Sequence, residues 1–491
     1  MSRKKEPIMS INLQNYAIEP NVHLYRQGGL NLACDVNSGS IHLLDDVTFC
    51  YLQEWKDYQG AFPETIENPE VLLAATGRDL APRVKEEILS ELAELQTRKV
   101  LFSPELPEMT LPALEPPLLK ALCLHVAHDC NLRCRYCFAK TGSFGGQRAF
   151  MSEAIGKKAL DMLILASGSR PYCEVDFFGG EPLLAWPLIK ELVAYGRERE
   201  QQTGKQIKFT LTTNAILLDA EVQAFLDREK ISLVLSLDGR PEVNDRMRPF
   251  PDRSGSYARA LPHIIEWVRR YPDSPRFTSG SDVYYYVRGT FTRHNLDFYR
   301  DVLHMAALGI ERISLEPVVA EAGCDYALTE EDVPALLEAY DILGEEACKG
   351  RFTFFHFNVG LAEGPCLAKR LSGCGAGYEY VAISPEGDIF PCHQFVGQEA
   401  YKLGSLAQAA DGPFNSARLD KELVETFRGT TIYTKEACRR CWARFSCSGG
   451  CHASNLSQGG GLREVYPLGC ILQKKRLEVA CYVQVQQQKS Y

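Results

Sequence analysis

The run Ala121-Leu122-Cys123-Leu124-His125-Val126-Ala127-His128-Asp129-Cys130-Asn131-Leu132-Arg133-Cys134-Arg135-Tyr136-Cys137 joins a short apolar segment to a polar loop bearing three cysteines. Its apolar part has the length of a strand and reads as a buried strand over Ala121–Ala127. From there strands alternate with helices, the signature of parallel βα units. Helices are expected over 152–167, 186–201, 219–228, 256–270 and 296–308, with strands over 174–178, 207–212, 231–237, 283–292 and 311–318. Six units are too few for the eight-stranded closed barrel, so the pattern predicts an α/β partial barrel. In parallel barrels the chemistry sits at the carboxyl ends of the strands, which is where the cysteine loop falls.

Three thiolates spaced C-x-x-x-C-x-x-C at Cys130, Cys134 and Cys137 can hold three irons of a 4Fe-4S cube and leave the fourth iron free for a ligand. A zinc knuckle is the alternative, and it would require a fourth Cys or His at its own spacing. Phe178-Gly179-Gly180-Glu181-Pro182 follows the second strand, where glycine lets backbone approach closely. Thr213 and Asn214 end the third strand and are candidates to line the same pocket.

The chain has 491 residues, room for about three domains. Fifty-four basic against 63 acidic residues give a net charge of −9, which argues against nucleic acid as a partner. No run approaches the roughly 18 apolar residues that span a bilayer, and the basic Arg3, Lys4 and Lys5 precede no signal-peptide core. The expectation is a cytoplasmic protein with no membrane partner. In a reducing compartment its 18 cysteines are metal ligands or buried thiols rather than disulfides. Cys34, Cys50, Cys123, Cys173, Cys324, Cys348 and Cys481 are scattered and read as plain packed thiols.

Residues 1–102 read as a small α+β module, with strands over 22–26, 30–36 and 40–44 and helices over 47–56, 69–75 and 83–95. Residues 103–117 carry Pro104, Pro107, Pro112, Pro116 and Pro117 and form a linker. The barrel occupies 118–328 and a bridging region 329–365, helical over 329–350. Residues 366–491 are Cys-rich and Gly-rich and end in a helix over 471–488. Few long periodic segments occur before that helix, so metal is expected to replace a missing core.

The cysteine triad after the first strand and the GGE turn after the second resemble the radical S-adenosylmethionine (SAM) enzymes. The resemblance implies a cluster whose free iron binds the methionine moiety of SAM and whose electron cleaves SAM to a 5′-deoxyadenosyl radical. It implies that the backbone of Gly179, Gly180 and Glu181 meets the methionine amino group and that Tyr136 packs by adenine. Ser236, Asp238 and Arg248 match ribose and carboxylate contacts, and Leu315 on the last strand matches an adenine-site position.

A second field, Cys374, Gly387, Cys392, Cys438-x-x-Cys441, Cys447, Cys451 and Cys470, resembles the SPASM auxiliary-cluster domain of peptide-modifying radical SAM enzymes. By that resemblance Cys438, Cys441, Cys447 and Cys470 close one 4Fe-4S cluster, while Cys374, Cys392 and Cys451 hold another. Cys366 is the candidate fourth ligand, unless that site stays open for a substrate thiolate. With the SAM-binding cluster this makes one catalytic and two auxiliary 4Fe-4S centres. Structural zinc at Cys438-x-x-Cys441 is the alternative. His393 stands where sulfatase-maturating relatives have a basic aspartate, a departure that leaves His393 as a candidate proton shuttle.

Over nearly the whole chain the resemblance is nearest to maturases of SCIFF peptides, carried by stretches such as Leu124 to Cys130, Glu174 to Pro182, Tyr286 to Thr292 and Pro391 to Gly397. It implies thioether formation between a Cys sulfur and the α-carbon of another residue, typically Thr, in a Cys-rich ribosomal precursor peptide. The N-terminal module would be a winged-helix-like recognition element that takes the peptide's leader as an added strand. A flavodoxin- or ferredoxin-type protein would supply electrons. Other peptide-modifying chemistry on the same fold, or a non-enzymatic iron-sulfur or zinc peptide-binding sensor, are the competing readings.

Overall fold

The computed structural model describes residues 16–57, 82–111, 119–271, 283–321, 323–359, 367–407 and 419–489. The expected helix over 69–75 and Cys366 lie outside the described residues. Near the N-terminus, β1 (Val22–Gln27), β2 (Leu30–Asp35) and β3 (Ile41–Leu44) form an antiparallel sheet in that order. Its two faces bury different residues, as the two-residue period of a strand dictates. Val22, Leu24 and Ala33 pack with Phe49 and Leu52 of helix Asp46–Asp57 and Leu92 of helix Pro82–Thr97. Tyr25, Leu32 and Cys34 point the other way and join the main core with Cys481 and Tyr482 of the C-terminal helix Pro467–Lys489.

The barrel strands are β4 (Ala121–Ala127), β5 (Tyr172–Gly179), β6 (Gln206–Thr213), β7 (Ser232–Ser236), β8 (Tyr285–Phe291) and β9 (Arg312–Pro317), all parallel. A short β10 (Thr353–Phe354) adds beyond β9. Helix starts follow their capping residues: the Ser152 side chain accepts from Ile155 N–H and Asp219 from Val222 N–H.

The Cys-rich end departs from expectation. It supplies β11 (Tyr380–Ile383), β12 (Asp388–Phe390) and β13 (Gly404–Ser405), which continue the barrel's own sheet past β4. β11 pairs parallel to β4, with Ala382 opposite Cys123. These strands are too short to show a period in sequence, yet Val381, Ile383 and Ile389 enter the main core. The region is therefore built on the barrel rather than on metal alone. The second expectation, a partial barrel of six units, matches the observed strands.

One segment, 438–447, also carries the N-terminal module. Trp442 stacks on His23 with centroids 3.8 Å apart and planes within 3°. Arg444, buried, donates to Pro20 O, Asn21 Oδ1 and Asn37 Oδ1 at 3.2–3.3 Å. Arg439 pairs with Glu108. From the C-terminal helix, Glu478 accepts from Tyr25 OH through its carbonyl and meets His23 through its carboxylate. Among the described residues no helix is long and apolar enough to cross a membrane.

Removing the Arg444 guanidinium takes one donor each from Pro20 O, Asn21 Oδ1 and Asn37 Oδ1, the last two keeping Asn37 Nδ2 and Leu106 N–H, and a buried oxygen left unpaired costs about 1–3 kcal/mol. Arg444→Ala is therefore expected to speed limited proteolysis within residues 16–44 while the barrel stays resistant. Equal protection of that region in variant and parent would show that the module holds without this residue.

Candidate functional site

The cysteine loop is held from two sides. On one side Gly180 N–H donates to Ala127 O at 2.8 Å and Glu181 N–H to Asp129 O at 2.9 Å. A Cβ on Gly179, whose φ is +135°, would lie 2.1 Å from Ala127 O, and one on Gly180 2.2 Å from Asp129 O. Only glycine permits this approach. On the other side Arg133 N–H donates to Pro249 O and Arg135 N–H to Met247 O, both at 2.8 Å. The loop after β4 is thus clamped between the turns that follow β5 and β7.

Glu181 is fully buried and its carboxylate is used by the chain itself. Oε1 accepts from Leu183 N–H at 3.0 Å and Thr213 Oγ1 at 2.8 Å, and Oε2 from Asn214 N–H at 2.8 Å. Burial pushes its pKa up against these three donors. Asn214 Nδ2 donates to Asn131 Oδ1 at 2.7 Å and lies 3.9 Å from Cys130 Sγ. The ends of β5 and β6 are therefore locked to the cysteine loop.

Tyr136, Asp238 and Arg248 meet across the ends of β4, β7 and β8. Tyr136 OH donates to Asp238 Oδ2 at 2.6 Å and accepts from Arg248 Nη1 at 2.9 Å. Asp238, fully buried, also accepts Thr290 N–H at 3.0 Å. Burial raises both the Tyr136 and the Asp238 pKa, while it works against the Arg248 charge and is outweighed by Tyr136, Cys134 and Asp238. Ser236 ends β7 half-buried. Leu315 is fully buried and close-packed on Gly289, where a Cβ would lie 2.5 Å from Leu315 Cδ2. It belongs to the barrel wall.

The second field folds into two thiol sets. Cys438, Cys441, Cys447 and Cys470 interact electrostatically with one another, and so do Cys374, Cys392 and Cys451. Between Cys447 and Cys451 the chain reverses through three left-handed residues, Ser448, Gly449 and Gly450, with φ of 60°, 83° and 75°. That turn sends neighbouring cysteines to different sets.

The donors brought together at these sites are thiols, the ligands that hold iron-sulfur clusters. Among the described residues no group of three Cys, His, Asp or Glu side chains stands at the spacing of a single metal ion. Tetrahedral zinc, with Zn–S about 2.3 Å, would draw its sulfurs to about 3.8 Å from one another, whereas a cube gives each thiolate its own corner iron. Burial pushes the Cys130 and Cys447 thiols up to about 12 and the Cys134 and Cys438 thiols up to about 11. Near neutral pH they are protonated, so loading with iron must release protons.

Facing inward from β5, β8, β9 and β11 is a polar group of which the sequence reading singled out His393 alone. His393 Nδ1 lies 3.3 Å from Tyr380 OH, its ring 5.1 Å from Phe178 and 5.5 Å from Phe138. Burial holds His393 at about 4, so the imidazole is neutral at pH 7. Glu316 meets His356 at 3.1 Å, Arg476 at 3.1 Å and Arg288 at 3.9 Å. Burial raises Asp176 to about 7, against Thr212 and Arg288. The available signal was the acid inside the strand Cys173-Glu174-Val175-Asp176-Phe177, where alternation puts Asp176 on the face opposite the apolar one.

Comparison with known proteins agrees with this geometry. Residues 124–271 match the family model of the Radical SAM superfamily, and residues 374–442 that of SPASM, the iron-sulfur cluster-binding domain. The chain is 25% identical over 355 residues to a cysteine-type anaerobic sulfatase-maturating enzyme of Clostridium perfringens, spanning 68% of this chain and 89% of that protein. It is 27% identical over 366 residues to the mycofactocin maturase MftC of Mycolicibacterium smegmatis, spanning 72% and 83%. Its fold matches the solved structure of native anSMEcpe with bound AdoMet and Cp18Cys peptide, with a TM-score of 0.61 at 20% identity over 76% of this chain and all of that one.

Two outcomes follow from the site. Gly180→Ala forces the Asp129 carbonyl away and is expected to lower the iron taken up on reconstitution with little change in far-UV circular dichroism; full uptake would show that the clamp is dispensable. For Asp176, the folded chain keeps a proton that the unfolded chain loses between the ordinary value of 3.8 and about 7, so this group subtracts stability as pH rises through that window. The melting temperature of Asp176→Asn should match the parent's at the acid end and exceed it above pH 7. A constant difference across the window would refute the assignment.

Proposed function

We propose that this radical SAM/SPASM protein is a peptide maturase that joins a Cys sulfur to a backbone α-carbon, typically of Thr, in a Cys-rich ribosomal precursor peptide. The observation that carries the reading is the pairing of one clamped cysteine loop at the strand ends with two further thiol sets built onto the same sheet. Bound SAM and a reduced 4Fe-4S cluster would supply a 5′-deoxyadenosyl radical able to take a hydrogen atom from the peptide backbone.

Cys130, Cys134 and Cys137 would hold that cluster, and the backbone of Gly179 to Glu181 with Thr213, Asn214, Ser236, Asp238 and Arg248 would hold SAM. Tyr136 is positioned by Asp238 and Arg248, and Leu315 closes the wall behind. Joining a carbon radical to a thiolate leaves one electron over, so the reaction needs an acceptor. Cys438, Cys441, Cys447 and Cys470, and Cys374, Cys392 and Cys451, are the residues that would hold two. Cys366 would complete the second set or leave it open to the peptide's thiolate. His393, neutral and inward-facing, is the candidate acceptor for the thiol proton, and Asp176 is a second one on the same face.

The sheet β1-β2-β3 has β1 packed against the C-terminal helix, which leaves β3 as the edge, with Leu43 46% exposed. That edge suits a leader peptide added as a fourth strand, through backbone hydrogen bonds. The relatives support a peptide substrate: the solved neighbour carries a Cys-containing peptide by its name, and the sequence relatives are maturases. A flavodoxin- or ferredoxin-type donor would reduce the SAM-binding cluster.

The anaerobically reconstituted protein with SAM and dithionite is expected to yield 5′-deoxyadenosine, and the Cys134→Ala variant none. With its Cys-rich peptide the parent should give a product lighter by two hydrogens per crosslink, whereas Cys392→Ala should still cleave SAM and give none. A sensor would make no 5′-deoxyadenosine at all. A sulfatase-maturase-like oxidation of a Cys would instead exchange its sulfur for a carbonyl oxygen from water, with loss of two hydrogens and release of sulfide, so its product would lack that sulfur and any sulfur bridge.

A further inference from the structure

A buried lysine stands between the two auxiliary thiol sets. Lys435 is 1% exposed and caps the short turn that carries Cys438, whose N–H donates to its carbonyl at 2.9 Å. Its Nζ donates to Gly449 O at 2.7 Å, in the left-handed turn that separates Cys447 from Cys451. The ionisable groups within its electrostatic reach include Cys438, Cys447 and Cys470 of one set, Cys451 of the other, and His452. Among the described residues no carboxylate forms an ion pair with it.

An ammonium buried against a single neutral carbonyl is uncompensated, and buried charges persist where a counter-charge meets them. Protonated thiols offer no such charge. Thiolates around an iron-sulfur centre do, because each ligand brings a full negative charge into the same low-dielectric space. The lysine and the thiol sets therefore complete one another only when the sets are loaded.

We propose that Lys435 is a positioning charge shared by both auxiliary centres, one that stabilises the state carrying an added electron and so sets where the electron left over by bond formation can rest. The inference deepens the function proposed above and rests on both thiol sets holding clusters. Nearby charge is one of the levers by which a protein tunes such a potential. The geometry makes this lever common to two sites, because Lys435 lies at the turn where the chain passes from one to the other.

The test compares reconstituted parent, Lys435→Met and Lys435→Arg, using iron and sulfide content and redox titration followed by electron paramagnetic resonance. At the parent's midpoint for the auxiliary centres, Lys435→Met should show a reduced-to-oxidised ratio about tenfold lower, equivalent to about 59 mV for one electron. Lys435→Arg should stay near the parent, and the centre at Cys130, Cys134 and Cys137 should titrate alike in all three. Loss of auxiliary iron from Lys435→Met with retention in Lys435→Arg would equally support a required charge. An iron-replete Lys435→Met with unchanged midpoints, or loss of iron from both variants alike, would overturn the proposal. A parent lacking auxiliary iron would instead overturn the cluster reading beneath it.

Discussion

Two backbone hydrogen bonds, from Gly180 to Ala127 and from Glu181 to Asp129, set where the three cysteines of the first loop can be. They form only because neither Gly179 nor Gly180 has a Cβ, which would overlap the accepting carbonyls. Everything at the strand ends is referenced to this clamp. Glu181 carries it to Thr213 and Asn214 on β6, and Arg133 and Arg135 carry it to the segment after β7, where Asp238 and Arg248 hold Tyr136. The site is thus a set of strand ends tied by backbone and buried carboxylates, with little left to long flexible side chains.

The same economy of parts governs the larger assembly. The segment 438–447 supplies three cysteines to one thiol set and, through Trp442 and Arg444, holds the N-terminal module. β11 supplies the wall beside β4 and leads through β12 into Cys392 and His393. The N-terminal module, the second thiol field and the barrel are therefore joined by direct contacts of short segments. A leader bound at the β3 edge would lie on a module that rests directly on the ligand-bearing segment.

Several ionisable groups of the interior are shifted by burial beside ion pairs such as Glu316 with Arg476. Burial raises the thiols and Asp176 and lowers His393 and Lys435.

The sequence by itself determined the architecture wherever a period or a spacing is local. β4 follows from an apolar run of strand length, the partial barrel from alternating strand and helix patterns, and the thiol loop from its C-x-x-x-C-x-x-C spacing. The N-terminal module's three strands follow from the turns at Gly28-Gly29 and 37–39. Tertiary structure decided what depends on contacts between distant segments. β11 to β13 are too short for periodicity to reveal, and they exist as strands because β4 offers an edge. Glu181 reads as one residue of a turn motif, yet its carboxylate ties the turn after β5 to the end of β6. Lys435 is an ordinary lysine in sequence, and only the folded chain buries it and sets its Nζ on Gly449 O in the turn between Cys447 and Cys451. Local hydrogen bonding and side-chain period are written residue by residue, whereas desolvation and long-range pairing arise only once the chain has closed on itself.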